Sequence, residues 1–154
     1  MLSQVSNSEP HEQLERIFYA LPWGIDEPLW AKPLGESQYE VRSIPFLADN
    51  LNFKDTVDVQ ASSVNQRLYI RKVIRRSGHM TLGIDFFENA DEAQRHQILN
   101  QLSFMQTRYE RPAGSEELYA FAIDIGPQCD PTTIYNYLRT LEEQGILNLI
   151  GTVT

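Results

Sequence analysis

The segment from Glu117 to Ile125, ELYAFAIDI, is almost continuously apolar, and it lies between two stretches with helical periodicity. A short apolar run of this kind is typical of a strand that is buried on both faces in the middle of a sheet. Gly126 and Pro127 end the run. The fold therefore has to include a sheet built around this strand, with helices available to cover it.

Each flanking stretch predicts one amphipathic helix. The first begins after Asn89 or Asp91, either of which can act as the N-cap, and runs to about residue 105. The second begins at Asp130-Pro131, because aspartate suits the N-cap and proline suits the first turn. Gly145 lies just beyond its end, where a residue with positive φ commonly terminates a helix. The two apolar faces consist of Ala93, Ile98, Leu99, Leu102 and Met105, and of Ile134, Tyr135, Leu138 and Leu141.

The C-terminal half is predicted to have the order β-α-β-α-β. Its first strand is Met80 to Phe87, which we expect to pair back through the Ser77-Gly78-His79 turn onto the preceding strand and so to belong to both halves. Its last strand is Ile146 to Val153. Two helices on one side of a sheet are the natural packing, as in a ferredoxin-like or split βαβ unit.

The N-terminal half consists of short strand patterns at close spacing, separated by turn residues. The predicted strands are residues 15–21, 29–31, 38–44, 56–59 and 68–76. The first of these could instead form a helical turn. A series of short strands of this kind predicts a small, strongly curved barrel or sheet.

The expected fold class is therefore α+β, with an N-terminal small curved β-sheet or barrel-like half fused to a ferredoxin-like β-α-β-α-β half. Residues 1–14 are polar, and we expect them to form a flexible N-terminal tail. Residues 15–154 are expected to form a single domain, in which 15–79 is mostly β and 80–154 is the β-α-β-α-β half.

The formal net charge of −8 is unevenly distributed along the chain. Residues 61–85 contain a single acid, Asp85, and the bases Arg67, Arg71, Lys72, Arg75 and Arg76, whereas the stretches on either side are acidic. Because nucleic-acid binding depends on cations that neutralise phosphates, we expect no direct nucleic-acid partner. The ordinary interpretation of the basic stretch is pairing with the surrounding acids.

We expect a cytoplasmic protein with no membrane partner. The first residues lack the basic start and apolar core of a signal peptide, and no apolar run is long enough to span a bilayer. The chain has one cysteine, Cys129, so it cannot form an intramolecular disulfide, which suits a reducing compartment.

The chain resembles an uncharacterised bacterial family, domain of unknown function 4265, over about residues 15–150. The residues behind the resemblance are Glu27, Leu29, Trp30, Ala31, Gly35, Ile44-Pro45-Phe46, Asp55, Val57, Arg76-Ser77-Gly78 and Thr81. The resemblance implies no activity and no catalytic residues. It implies a setting in which small bacterial domains lie beside secreted-toxin loci and acidic proteins act as immunity factors.

The turn from Arg75 to His79 is the most suggestive spot for chemistry. Gly78 would let the backbone bend close to an anion, and Arg75 and Arg76 could fork onto a phosphate or carboxylate. His79 could move protons near neutral pH. The structural alternative is a hairpin turn in which Gly78 supplies a positive φ and the charges are solvated.

No metal site or cofactor is expected. His11, His79 and His96 are scattered and lack the ligand spacing that a closed zinc site needs. Cys129 precedes a helix start, where a thiol can be activated, but the neighbouring Asp130 would oppose a thiolate. We therefore expect Cys129 to be a bystander and the protein not to be an enzyme.

Acids and aromatics supply the candidate partner surface. Most acids suit helix ends or exposed faces. Asp124 instead lies in the apolar strand and is expected to be buried and paired, with an arginine as the suggested partner. Trp23 and Trp30 suit a barrel core or a rim, and aromatics are common at interfaces. The residues proposed to bind a partner are Glu110, Glu116, Glu117, Asp124, Glu142, Glu143, Trp23 and Trp30.

The leading hypothesis is an acidic immunity protein that inhibits a cognate toxin, a basic nuclease. A nuclease site is positively charged, so an acidic protein can occupy it and associate rapidly by electrostatic steering. The alternative is a small-ligand-binding or regulatory module, which rests on analogy between folds. An enzyme that uses the Arg75–His79 turn or Cys129 is the third hypothesis.

Overall fold

The computed structural model describes residues 12–113 and 119–150, and over these ranges the chain is α+β. It contains a five-stranded barrel, a second sheet of four strands and two helices. In chain order the elements are β1 (Glu15–Ala20), β2 (Asp26–Gly35), β3 (Gln38–Val41), β4 (Thr56–Ala61), β5 (Leu68–Arg75), β6 (Met80–Phe86), α1 (Glu92–Phe104), β7 (Arg108–Glu110), β8 (Ala120–Ile125), α2 (Pro131–Glu143) and β9 (Leu147–Ile150).

Strands β1 to β5 form a closed barrel in sequence order. Successive strands pair antiparallel, and β1 closes the barrel by pairing in parallel with β5 at Phe18 and Tyr69. The alternation of side chains along a strand directs Ile17 and Leu29 into the barrel core. The predicted strand at residues 15–21 is confirmed, and it is not a helical turn.

Strands β6 to β9 form the second sheet in the order β7-β8-β6-β9, and its neighbouring strands pair antiparallel. Strand β6 pairs with β8 and β9 and, over the described residues, with no strand of the barrel. The prediction that residues 80–87 pair back onto 68–76 is therefore wrong. Gly78, at φ +89°, instead turns the chain away from the barrel into the second sheet.

Both predicted helices and their caps are confirmed. The Asp91 carboxylate accepts a hydrogen bond from the backbone N–H of Gln94, and Asp130 accepts one from Thr132. Strand β7 was not predicted. It is an edge strand of three residues, too short to show an alternating pattern in the sequence.

The second sheet buries both of its faces. The central strand β8 is buried along its whole length, as the apolar run predicts. One face packs against α1 and α2 and forms the main core, with Ile84, Ile123, Leu102 and Leu138 fully enclosed. On the opposite face, Ala122 packs against Ile44 and Phe53 of the connection between β3 and β4.

The connection between β3 and β4, residues 42–55, makes this contact and is called the docking segment below. Its Ile44 and Phe53 form a small buried cluster with Ala122 of β8. At Gly83 of β6 the approach is so close that a Cβ atom would lie 3.0 Å from the Phe46 ring. The docking segment therefore forms the boundary between the barrel and the second sheet.

Among the described residues, no helix combines the length and apolar character needed to cross a membrane.

Candidate functional site

A cleft of about 750 Å³ opens where the docking segment meets the start of β6, and it is called the main cleft below. One wall is residues 45–52 of the docking segment. The opposite wall comes from the end of β5, from β6 and from Ile150 of β9. The polar residues that line the cleft are Asp49, Asn50, Asn52, Arg76, His79 and Thr81. A set of convergent polar groups in a cleft of this size is the usual form of a small-molecule site.

Glu27 of β2 fixes the first wall. Its carboxylate accepts hydrogen bonds from the backbone N–H groups of Phe46, Leu47 and Ala48, at 2.7, 3.0 and 2.6 Å. Burial raises the pKa of Glu27 above its usual value, and the three N–H groups offset part of that rise because they favour the carboxylate. One buried side chain therefore holds three consecutive residues of the wall in place.

Asp55 fixes the other end of the docking segment. Its side chain is fully buried and accepts hydrogen bonds from the backbone N–H groups of Asn52 and Ser77, at 2.9 and 2.8 Å. It also pairs with Arg76, whose Nη1 lies 3.3 Å from the carboxylate and donates to the backbone oxygen of Asn50. Asp55 thus joins the two walls of the cleft through one carboxylate.

His79, which precedes β6, forms a second pair with Asp124 of the neighbouring strand β8. The Nδ1 atom of His79 lies 2.8 Å from Oδ1 of Asp124, which is almost completely buried. Burial raises the pKa of Asp124, and the hydrogen bond from His79 opposes that rise. Because the carboxylate accepts a hydrogen bond from Nδ1, Nε2 is the ring nitrogen left to form a hydrogen bond with a ligand.

Thr81 of β6 and Asn52 of the docking segment connect the two walls of the cleft. The hydroxyl of Thr81 donates to Oδ1 of Asn52 at 2.6 Å. This leaves the amide N–H groups of Asn52 and the oxygen of Thr81 as further donors and acceptors for a ligand.

The hydroxyl of Ser77 and the thiol of Cys129 both form hydrogen bonds within the protein. Ser77 Oγ donates to the backbone oxygen of Phe53 at 2.7 Å and accepts from the backbone N–H of His79. The Cys129 thiol lies 3.4 Å from the backbone oxygen of Gln106. Within residues 12–113 and 119–150, no group of three or more His, Cys, Asp or Glu side chains could hold a metal ion. Ser77 and Cys129 therefore each contact a backbone carbonyl oxygen.

The predicted anion-contact residues separate in the structure. Arg76 and His79 both line the main cleft, whereas Arg75 ends β5 with an exposed side chain and is not part of its lining. Gly78 has the positive φ that the sequence predicts. The basic stretch also pairs with acids, as the ordinary interpretation holds, at Arg67–Asp26, Arg71–Asp58 and Arg76–Asp55.

Two of the predicted partner-binding acids act inside the molecule. Glu110 accepts a hydrogen bond from the backbone N–H of Ile44 at 3.0 Å, which ties β7 to the docking segment. Asp124 is buried and paired, as the sequence predicts, but its partner is His79 and not the suggested arginine. Glu116 and Glu117 lie outside the described residues, as does His11.

The remaining acids lie at the end of α2. Glu142 accepts a hydrogen bond from the backbone N–H of Leu149 at 2.8 Å. Glu143 is exposed and lies 3.7 Å from Arg139 one turn earlier. Of the acids proposed from the sequence and described in the structure, Glu143 is the one whose carboxylate is most available to a partner.

Both predicted tryptophans are exposed. Trp23 lies in the β1–β2 turn with 61% of its surface accessible, next to the exposed Ile25. Trp30 lies on the outside of β2, where the guanidinium of Arg16 stacks 4.0 Å from the ring. They are therefore surface residues and not part of the barrel core.

Sequence reasoning missed Glu27, Asp55, Asn52 and Thr81 as parts of a site. Glu27, Asp55 and Thr81 are among the residues behind the family resemblance, but nothing local in the sequence relates them to one another. The one available signal was an acid within a strand pattern, as at Glu27 in front of an apolar run.

Comparisons with known proteins identify the family and the fold. A family model described as domain of unknown function DUF4265 matches residues 27–149. No curated protein matches the chain significantly. The chain is similar in structure to a hypothetical protein from Neisseria gonorrhoeae, with a TM-score of 0.72 and 16% sequence identity over 92% of this chain and 95% of the other. At that identity the likeness concerns the fold alone.

Proposed function

The chain belongs to the family described as domain of unknown function DUF4265, and we propose that it acts by binding a small organic molecule in the main cleft. The observation that carries the proposal is the cleft itself, whose volume of about 750 Å³ lies within the range of small-molecule sites, roughly 300–1,000 Å³. Binding is the proposed activity because the polar groups that line the cleft can hydrogen-bond to a ligand.

The fixed walls support this proposal. Glu27 and Asp55 hold the two ends of the docking segment through buried carboxylates, so the cleft exists before a ligand arrives. A preformed site loses less conformational entropy on binding, which favours affinity. Asn52 on the docking segment, together with His79 and Thr81 on the opposite wall, provides both donors and acceptors.

The test is a thermal-shift screen of polar, metabolite-sized compounds, followed by calorimetry on each compound that raises the Tm. His79→Gln is expected to weaken binding at least about fivefold, since loss of a hydrogen bond to a buried ligand costs on the order of 1–3 kcal/mol. His96→Gln, on the exposed face of α1, is the matched control and should leave affinity unchanged. Compounds whose affinity is the same for His79→Gln and His96→Gln would contradict the proposal.

A second candidate function is the acidic immunity protein that inhibits a basic nuclease toxin. The exposed Trp23 and Ile25 at the tip of the β1–β2 turn favour it, because an exposed aromatic and aliphatic pair suits the centre of a protein interface. The net charge of −8 would speed association with a basic partner.

The inhibitor hypothesis is tested by the activity of basic nuclease toxins from the same genome, with and without the protein, at low and moderate salt. Trp23→Ala should weaken inhibition, and Val64→Ala, an exposed apolar residue in the β4–β5 connection, should not. Undiminished nuclease activity for every toxin would reject this function.

We also infer a ferredoxin-like connectivity for residues 80–150 and a cytoplasmic location. The strand order β7-β8-β6-β9 supports the first, since each helix links two strands that have a third strand between them. The single cysteine is compatible with a reducing compartment and supports the second.

A further inference from the structure

A second, smaller depression of about 460 Å³ lies beside the main cleft and is called the side depression below. The two share Asp49, Asn50, Leu51 and Arg76, so they meet along one stretch of the docking segment. The side depression continues over the outside of β5. A ligand that occupies the main cleft can therefore extend past Arg76 without crossing the core.

The two depressions differ in charge. Apart from His79, the charged side chains that line the main cleft are Arg76 and Asp49, which balance one another. The side depression adds Arg71 and Lys72, so three cations line it against the carboxylate of Asp49. Because Arg71 pairs with Asp58 and Arg76 pairs with Asp55, Lys72 is the cation of the side depression whose charge is best placed to attract an anion.

Lys72 is the cation most available to a ligand. Arg71 lies 3.4 Å from Asp58, which neutralises part of its charge. Within residues 12–113 and 119–150, no carboxylate pairs with Lys72, and its side chain is exposed. A compact ammonium group on a flexible stem is well suited to contact a phosphate oxygen.

Arg76 stands between the two depressions. Its Nη1 is directed inward to Asn50 and Asp55, and about half of the side chain remains exposed. Because one side of the guanidinium is held by the protein, its remaining N–H groups are preoriented, an arrangement suited to a planar, forked contact with an oxyanion.

We propose, on the basis of the proposed function, that the ligand is an organic phosphate whose hydrogen-bonding body occupies the main cleft and whose phosphate contacts Arg76 and Lys72 in the side depression. The body lies against Asn52, His79 and Thr81, which offer neutral donors and acceptors. The phosphate contacts two cationic side chains, so affinity falls as salt screens the charges.

The experiment is an NMR titration of the labelled protein with inorganic pyrophosphate, which probes the phosphate site alone. Shift changes are expected at residues 49–51 and 71–76, with an affinity that decreases as salt rises. Lys72→Gln, on the surface and safe for folding, should weaken binding at least about fivefold, as expected for loss of a charge-assisted contact. Arg76→Gln should weaken it further. Arg139→Gln on α2 is the matched control and should have no effect.

Each outcome decides between the two proposals. Shift changes that spread over all basic residues, or that survive Lys72→Gln and Arg76→Gln unchanged, would overturn the phosphate site. Neutral compounds that bind through His79 with no response to pyrophosphate would overturn the phosphate inference and leave the main-cleft proposal standing. Pyrophosphate binding at Lys72, with organic phosphates binding no more tightly than pyrophosphate itself, would reject the role of the main cleft.

Discussion

The imidazole of His79 is held at 2.8 Å by the buried carboxylate of Asp124, although the two residues are 45 positions apart in the chain. The carboxylate selects the imidazole form that carries a proton on Nδ1, because an acceptor faces that nitrogen. The side chain of His79 lines the main cleft, so this pairing determines which ring nitrogen acts on a ligand.

In Asp124→Asn, the imidazole of His79 should no longer be restricted to the form with its proton on Nδ1. The new side-chain amide can turn either its oxygen or its NH₂ group toward the ring, so both neutral imidazole forms become populated. Nitrogen-15 NMR of the imidazole measures the change directly, with His96 in the same spectrum as an internal control. An unchanged His79 spectrum in Asp124→Asn would contradict the pairing.

Glu27 should make the stability of the fold depend on pH in a defined direction. Its folded pKa is raised above 4.5 by burial, so the folded state binds the proton more tightly than the unfolded chain does. The contribution of Glu27 to stability is therefore fully present below pH 4.5 and is lost as pH rises through the folded pKa. Urea unfolding at a series of pH values, compared between the wild type and Glu27→Gln, measures this term.

The glutamine variant should lack that pH-dependent term and be less stable at neutral pH. Its NH₂ group faces backbone N–H donors of residues 46–48 and leaves at least one without an acceptor, at a cost of about 1–3 kcal/mol. A difference between the two proteins that is constant with pH would show that Glu27 does not titrate in this way.

Asp55 should contribute more to stability than Asp58, although both pair with an arginine. Asp55 is buried and accepts from two backbone N–H groups, so Asp55→Ala should lower the free energy of unfolding by about 2–4 kcal/mol. Asp58 pairs with the exposed Arg71 and accepts a hydrogen bond from the Ser37 hydroxyl, so Asp58→Ala should cost less, about 1–2 kcal/mol. Chemical denaturation of both variants tests the contrast, and equal losses would refute it.

Glu142 should protect the edge of the second sheet. Strand β9 ends the strand order, and the Glu142 carboxylate accepts the N–H of Leu149. Exposed edge strands promote pairing between molecules, and a charged group at the edge opposes it. Glu142→Ala should therefore raise the fraction of dimer or larger species in light scattering at high concentration.

Glu143→Ala is the control for this effect, since Glu143 is exposed on the same helix and pairs with Arg139 instead of the edge. Removal of either acid changes the net charge equally. Self-association that increases to the same extent in both variants would indicate a charge effect and not edge protection.

Several parts of the fold could be predicted because their causes are local. Asp91 and Asp130 cap helices through N–H groups two or three positions away, and Gly78 can adopt a positive φ because it has no Cβ atom. The apolar run that ends at Ile125 forms a buried central strand, since such a run favours burial on both faces.

Other predictions failed or were missing because no local pattern encodes them. Strand β6 pairs with β8 and β9, which lie 34 or more positions further along the chain. No local pattern could therefore show that β6 belongs to the second sheet and not to the barrel. Strand β7 has three residues and depends on β8 for its conformation. Nothing in the sequence indicates that Glu110 and Glu142 accept hydrogen bonds from backbone N–H groups.

The sequence by itself determined the helices, their caps, the central strand and the series of short strands, because periodicity and capping act over a few residues. The tertiary structure alone decided the main cleft. Glu27 reaches residues 46–48, Asp55 reaches Ser77, and His79 reaches Asp124, and each contact forms only when the docking segment lies on the second sheet. The physical reason is that hydrogen-bond partners distant in sequence are chosen by the packing of whole elements, which burial of the apolar faces drives.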